Sequence, residues 1–156
     1  MSKDLLMHRR IGSGSPLMLV HGYLGGQFMW QFQEPLQDDF ELIMPSLAGY
    51  GESAHLEAPS SIPGNVDDIC RLLDHLEIDK VDLLGHSMGG MVVQEMAANR
   101  PERINRLICL GTGSMGVLPN RFEPIEESRR KILNLGLEHA RENIARTWFL
   151  NPDFEA

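Results

Sequence analysis

The sequence predicts an α/β fold, a mostly parallel sheet with helices on both faces, and three observations carry that prediction. Short apolar runs at about 4–11, 16–20, 40–44, 80–84 and 106–110 alternate with segments of helical periodicity. The last three connections have the length of right-handed crossovers between parallel strands. Finally, Gly85-His86-Ser87-Met88-Gly89 stands between an apolar run and a helical one. That Gly-x-Ser-x-Gly string is the mark of a tight strand-to-helix turn.

Taken in order, the amino terminus places charges on both sides of a very short apolar patch, Leu5-Leu6-Met7, with no longer apolar segment after it. It does not have the form of a signal peptide. Gly12-Ser13-Gly14-Ser15 is a hairpin-like turn between the first two strands. The second strand, Pro16-Leu17-Met18-Leu19-Val20, runs directly into His21-Gly22-Tyr23-Leu24-Gly25-Gly26. Backbone N–H groups on such a glycine-rich strand end can face a developing oxyanion.

The helix before this turn, or elbow, at Gly85–Gly89 is drawn by Val66, Ile69, Leu72, Leu73 and Leu76, while Asp67, Asp68, Arg71 and Asp74 are expected to face outward. Asn65 is the expected cap of its start. After the elbow, Gly89 and Gly90 allow close helix-to-sheet packing. Met91, Val92, Met96 and Ala97 form the buried side until Arg100-Pro101 ends the helix. Cys70 and Cys109 are expected to be buried reduced thiols.

The elbow makes Ser87 the candidate nucleophile, because a sharp turn with flanking glycines lifts its hydroxyl above the end of the sheet. The expected oxyanion donors are the backbone N–H groups of Met88, which opens a helix at its positive dipole end, and of Tyr23, beside the His21-Gly22 pair. His86 is expected to point away from Ser87, and His21 to brace its own loop.

These pieces, together with the loop Pro45-Ser46-Leu47-Ala48-Gly49-Tyr50-Gly51-Glu52-Ser53, make the chain resemble the amino-terminal part of an α/β-hydrolase from about Leu5 to Met115. The wording is similar to small esterases, enol-lactone hydrolases, carbon–carbon bond hydrolases and cofactor-free lyases. The resemblance implies a Ser-His-Asp/Glu mechanism on an ester, lactone or similar small carbonyl substrate, with no metal and no cofactor.

In that family the acid and the histidine follow the nucleophile in the chain. The histidine downstream of Ser87 is His139, in Leu137-Glu138-His139-Ala140-Arg141-Glu142, a helical stretch rather than a strand-end loop. It is expected to be a helix-surface residue. Asp153 and the downstream glutamates have no strand before them. The expectation is therefore a truncated hydrolase lacking its acid and base, and inactive alone. The alternative is a non-catalytic remnant or interaction module that keeps the fold.

Gly111-Thr112-Gly113-Ser114-Met115-Gly116 satisfies a Gly-x-Gly-x-x-Gly pattern, but Leu118-Pro119-Asn120 follows instead of a helix. A dinucleotide site needs the helix. The segment is expected to be a strand-end loop. Residues 1–116 are thus expected to form an incomplete hydrolase core and 117–156 the beginning of a helical cap or lid. In the latter, Glu126 with Arg130, Glu127 with Lys131, and Glu142 with Arg146 have favourable helix-pair spacing.

With 42% hydrophobic and 23% charged residues and a formal net charge of -8, the 156-residue chain has the composition of a globular domain. Between Glu52 and Asp82 only Arg71 and Lys80 oppose eight carboxylates. That sign disfavours nucleic acid and anionic membranes. No window reaches the roughly eighteen apolar residues of a membrane helix, so a cytoplasmic protein is expected. Without a neighbour, Arg106-Leu107-Ile108-Cys109-Leu110 becomes an open sheet edge, which predicts self-association.

Overall fold

The computed structural model describes residues 4–114 together with 127, 130–136, 138, 139 and 142. A five-stranded sheet is built from β1 (His8–Ile11), β2 (Ser15–Val20), β3 (Phe40–Pro45), β4 (Val81–His86) and β5 (Ile104–Leu110). Their order across the sheet is β1-β3-β2-β4-β5. Only β1 runs antiparallel, against β3, and every other pairing is parallel. The expected fold class is the one observed. The first strand is shorter than the 4–11 run, because Met7 already leaves the ladder to bond the loop after β3 through its N–H to Ser53 Oγ (2.9 Å).

Alternation along the strands divides the core into two layers. Met18, Val20, Ile43, Val81 and Leu83 face one side, where α1 (Ile62–His75) contributes Val66, Ile69, Leu72 and Leu73, and α2 (Met88–Asn99) contributes Val92, Val93 and Met96. Leu17, Leu19, Leu42 and Met44 face the other side and close over Trp30. Trp30 belongs to Gln27–Asp38, a stretch of 3-10 turns that contains Pro35 and is kinked at Trp30 itself (φ -96, ψ 16). Helical cover on this second face therefore comes from a segment without regular α periodicity.

Four expectations need correction. Gly12-Ser13-Gly14-Ser15 does not close a hairpin, because β1 pairs with β3 and β3 lies between β1 and β2. Asn65 does not cap α1, which starts a turn earlier after Ser61. Pro63 sits in that first turn, where its fixed φ and missing N–H cost nothing, so Ile62-Pro63-Gly64 is helix although its composition reads as a breaker. Asn65 is instead buried, with Nδ2 donating to the Ser61 carbonyl. Asp68 does not face outward. It is buried beneath Arg71, one turn on, which bonds its carboxylate. Cys109 is exposed rather than buried, because β5 is the edge strand of the sheet among the described residues. Cys70 is half-buried, and desolvation pushes its thiol pKa up.

The chain divides into two compact units, Met1–Gly116 and Val117–Ala156. Most of the expected cap lies outside the described residues, as do Glu126 and Arg146 and the loop from Met115 onward. Within it, Glu127 approaches Lys131 at 4.0 Å as expected, while Arg130 bonds Glu127 one turn back. Among the described residues no helix is long and apolar enough to cross a membrane.

Candidate active site

Ser87 joins β4 to α2 with φ 53 and ψ -117, a left-handed conformation that costs a residue with a side chain of order 1 kcal/mol or more. The turn is held by β5 and by the loop after it. Ser87 N–H donates to the Leu110 carbonyl (3.0 Å), and the Thr112 hydroxyl donates to the Ser87 carbonyl (2.7 Å). Serine at a helix start ordinarily folds its hydroxyl back onto the N–H groups of the first turn. Here it does not: Ser87 makes no side-chain cap bond, and its half-buried hydroxyl has no hydrogen-bond partner among the described residues.

Two close approaches place the neighbouring loop against this turn. A Cβ on Gly89 would lie 2.3 Å from the Val20 carbonyl oxygen and 2.5 Å from that of His21, so α2 begins directly on the end of β2. A Cβ on Gly22 would lie 3.0 Å from Ser87 Cβ and 2.9 Å from His86 Nδ1. The His21-Gly22 turn and the elbow thus share a wall that admits no side chain.

The donors expected from the sequence lie on the two sides of that wall. Met88 is the first residue of α2, so its N–H has no carbonyl four residues back within the helix. Tyr23 follows Gly22 in a turn closed by Gly25 N–H to the Gly22 carbonyl (3.0 Å), with Leu24 at φ 62. Neither the Tyr23 nor the Met88 N–H meets an acceptor among the described residues. Tyr50 joins the two. Its ring packs edge-on to Tyr23 with centroids 6.2 Å apart, and its hydroxyl donates to Met88 Sδ (3.6 Å).

A polar lattice, buried at His21, Ser46 and Gln27 and exposed at Glu52, fixes the positions of the loops. His21 is fully buried; its Nε2 accepts from Leu47 N–H (2.9 Å), which leaves Nδ1 to carry the proton and donate to the Gly22 carbonyl (2.7 Å). Burial holds its pKa below the ordinary value, against smaller opposite contributions from that carbonyl and from Glu52. Ser46 accepts from Gln27 N–H (3.0 Å) and donates to Glu52 Oε2 (2.7 Å). The Ser46 bond, ahead of the other contributions, holds the Glu52 carboxyl below its ordinary pKa. Tyr50 shifts the other way, its hydroxyl pKa raised chiefly by burial.

Sequence reasoning marks Ser87, Tyr23, Met88 and the bracing role of His21, and it picks out the loop that holds Ser46, Tyr50 and Glu52 without assigning them parts. It misses Thr112, since a threonine after a strand carries no signal until the strand is known to end beside the elbow. His86 makes no bond to Ser87; its Nδ1 is buried against Gly22 without a partner among the described residues. His139 is exposed on a helix.

Residues 15–145 match the alpha/beta hydrolase fold family. The chain is 38% identical over 104 residues to the dihydrolipoyllysine-residue acetyltransferase component of the acetoin cleaving system of Pseudomonas putida, covering 66% of this chain and 28% of that one. It is 34% identical over 112 residues to the 2-hydroxymuconate semialdehyde hydrolase of Pseudomonas sp. strain CF600, covering 67% and 38%. Among solved structures, a thermophilic esterase from Thermogutta terrifontis superposes with a TM-score of 0.76 at 31% identity, covering 90% of this chain and 53% of the esterase. The chain thus spans between about a quarter and about half of these relatives.

Proposed function

The chain belongs to the α/β-hydrolase fold family, and from that premise we propose that it carries the nucleophile half of a serine hydrolase acting in the cytoplasm on an ester, lactone or similar small carbonyl substrate, with no cofactor. The unbonded hydroxyl of a left-handed Ser87 at a helix start is the observation that supports this most strongly. In this reading Ser87 Oγ forms a bond to the carbonyl carbon and the π electrons move to oxygen, which the Tyr23 and Met88 N–H groups receive. The tetrahedral adduct then expels the alkoxide, which leaves as the alcohol with the serine proton, and water releases the acyl group by the same steps. Residues 117–156 are proposed to begin a lid.

No residue of this chain is assigned the acid or the base. With only oxyanion stabilisation and binding, rate enhancement would be about a thousand- to ten-thousand-fold over water. A fluorophosphonate is the direct test. Labelling at Ser87 that vanishes in Ser87→Ala is expected, whereas an unmodified intact mass after long incubation would overturn the enzyme reading. It would favour the second one, a remnant that keeps the fold without activity.

Self-association through β5 is also proposed. Leu107, Ile108 and Leu110 are each at least 40% exposed on the terminal strand. Such an edge offers free backbone groups to a second chain. Sedimentation at micromolar concentration is expected to show a concentration-dependent increase in mass, and a monodisperse monomer would count against pairing.

A further inference from the structure

Both peptide groups that flank Ser87 are held by the carboxyl end of β5. The one before it gives its N–H to the Leu110 carbonyl (3.0 Å), and the one after it receives the Thr112 hydroxyl on its carbonyl (2.7 Å). A trans peptide group is planar, so holding its carbonyl also sets the direction of its N–H. The N–H that shares an amide with the Ser87 carbonyl is that of Met88, one of the two proposed oxyanion donors. Thr112 therefore acts on this donor from the far end of the same amide.

The Ser87 carbonyl leans toward Thr112 rather than along α2. In a regular helix the N–H four residues on would satisfy it, but Met91 N–H lies 3.3 Å away, beyond the usual range, while the Thr112 hydroxyl is at 2.7 Å. A second acceptor for that hydroxyl, the Gly113 carbonyl, is farther off at 3.3 Å. Packing keeps the threonine in place. A Cβ on Gly90 would fall 2.4–2.5 Å from Thr112 Cβ, Cγ2 and Oγ1, so Thr112 fills the space that a side chain at Gly90 would take. Gln94 ties the same loop to α2, its Nε2 donating to the Gly90 carbonyl (2.9 Å) and the Gly113 carbonyl (3.2 Å).

A left-handed serine persists only where its surroundings over-determine it, and here the groups on both sides of its φ and ψ are fixed by the β5 end. Released, Ser87 would be free to adopt the extended form of an ordinary helix cap and fold its hydroxyl onto the first turn of α2. A bond accepted by an amide oxygen also draws electrons from its nitrogen. The N–H becomes a stronger donor.

We propose that Thr112 is a positioning residue of the oxyanion site, which through the Ser87 carbonyl aims the Met88 N–H and keeps the Ser87 hydroxyl free. This rests on the reading of Ser87 as nucleophile and Met88 as oxyanion donor, and adds to it a residue 25 positions away that acts without touching the substrate.

The test compares the whole chain with Thr112→Val and Thr112→Ser. Valine keeps the branched shape beside Gly90 and removes the donor, and Met91 N–H still reaches the carbonyl, so no acceptor is stranded. Serine keeps the donor and removes the methyl group. In fluorophosphonate labelling Ser87 Oγ bonds to phosphorus, fluoride leaves and the serine proton passes to solvent, while the phosphonyl oxygen gains the charge that the Met88 N–H receives. Thr112→Val is expected to lower the first-order labelling rate constant about tenfold at unchanged reversible affinity, the size of one hydrogen bond and less than the roughly hundredfold or more for deleting an oxyanion donor. Thr112→Ser should restore most of the rate. Packing alone would give the opposite ranking, since serine lacks the methyl that valine keeps. In the ¹⁵N-labelled protein the Met88 nitrogen resonance should move upfield in Thr112→Val and stay near its original position in Thr112→Ser. An unchanged rate constant in Thr112→Val, slower labelling in Thr112→Ser than in Thr112→Val, or an unmoved Met88 resonance would overturn the role of Thr112 and leave the Ser87 reading standing. No labelling of the unsubstituted chain would overturn the Ser87 reading, and the oxyanion role of Thr112 with it.

Discussion

Gly89→Ala is expected to destabilise the fold by about 3 kcal/mol, near the top of the range for inserting a methyl group into a packed interior. The new Cβ would fall 2.3 Å from the Val20 carbonyl oxygen and 2.5 Å from that of His21. Both are backbone atoms in or beside a central strand, so neither can rotate away as a side chain would. Relief requires lifting the start of α2, which carries Ser87 and the Met88 N–H with it. Urea unfolding should show the midpoint falling at unchanged slope, and Ser87 labelling should fall in parallel. Gly26→Ala is the control. Gly26 has φ 179 and a Cβ there would come no closer than 3.4 Å to Ser46 Oγ, so its effect should stay within about 0.5 kcal/mol. A cost below about 1 kcal/mol for Gly89→Ala would mean that α2 is not pressed onto β2.

The second large effect is expected at His21. Its ring is held neutral by a donor on Nε2 and an acceptor at Nδ1, and burial depresses its pKa below the ordinary 6.5. Between 6.5 and the lower folded value, the unfolded chain takes up a proton that the folded chain refuses. The stability His21 contributes is therefore complete above about pH 6.5 and is lost as the pH falls through that window, by at most about 1.4 kcal/mol per pH unit. Glu52 acts in a separate, more acidic window. Its carboxyl is also depressed, so its contribution is present above its ordinary 4.5 and lost below it. His21→Ala should cost about 3 kcal/mol at about pH 7.5, through the cavity and the stranded Leu47 N–H, and should flatten the dependence between about pH 7.5 and 5.5. Equal stability of the unsubstituted chain at these two pH values would contradict this account of the His21 loop.

Much of this site is legible in the chain because its determinants are local. An apolar run, a glycine, a serine and a second glycine specify a turn whatever surrounds them, and the periods of about 2 and 3.6 identify what lies on either side. Val66, Ile69, Leu72 and Leu73 are buried as their spacing requires. The failures have the opposite character. For Asn65, Asp68 and Cys109 the pattern of their own element suggests one environment, but another element decides it. A preceding turn containing Pro63 absorbs Asn65, the Arg71 guanidinium lets Asp68 be buried, and the position of β5 at the end of the sheet exposes Cys109.

The alternation of strands and helices, the elbow with Ser87, the glycine turn after His21 and the acidic excess can all be read along the chain. All of these follow from residue chemistry and short-range periodicity. Packing alone brings Gly22 against Ser87, ties Tyr23 to Met88 through Tyr50, sets Thr112 on the elbow and opens Asn65 onto a cleft. Each depends on side chains separated by tens of residues, which meet because the parallel order of β2, β4 and β5 brings the carboxyl ends of those strands together.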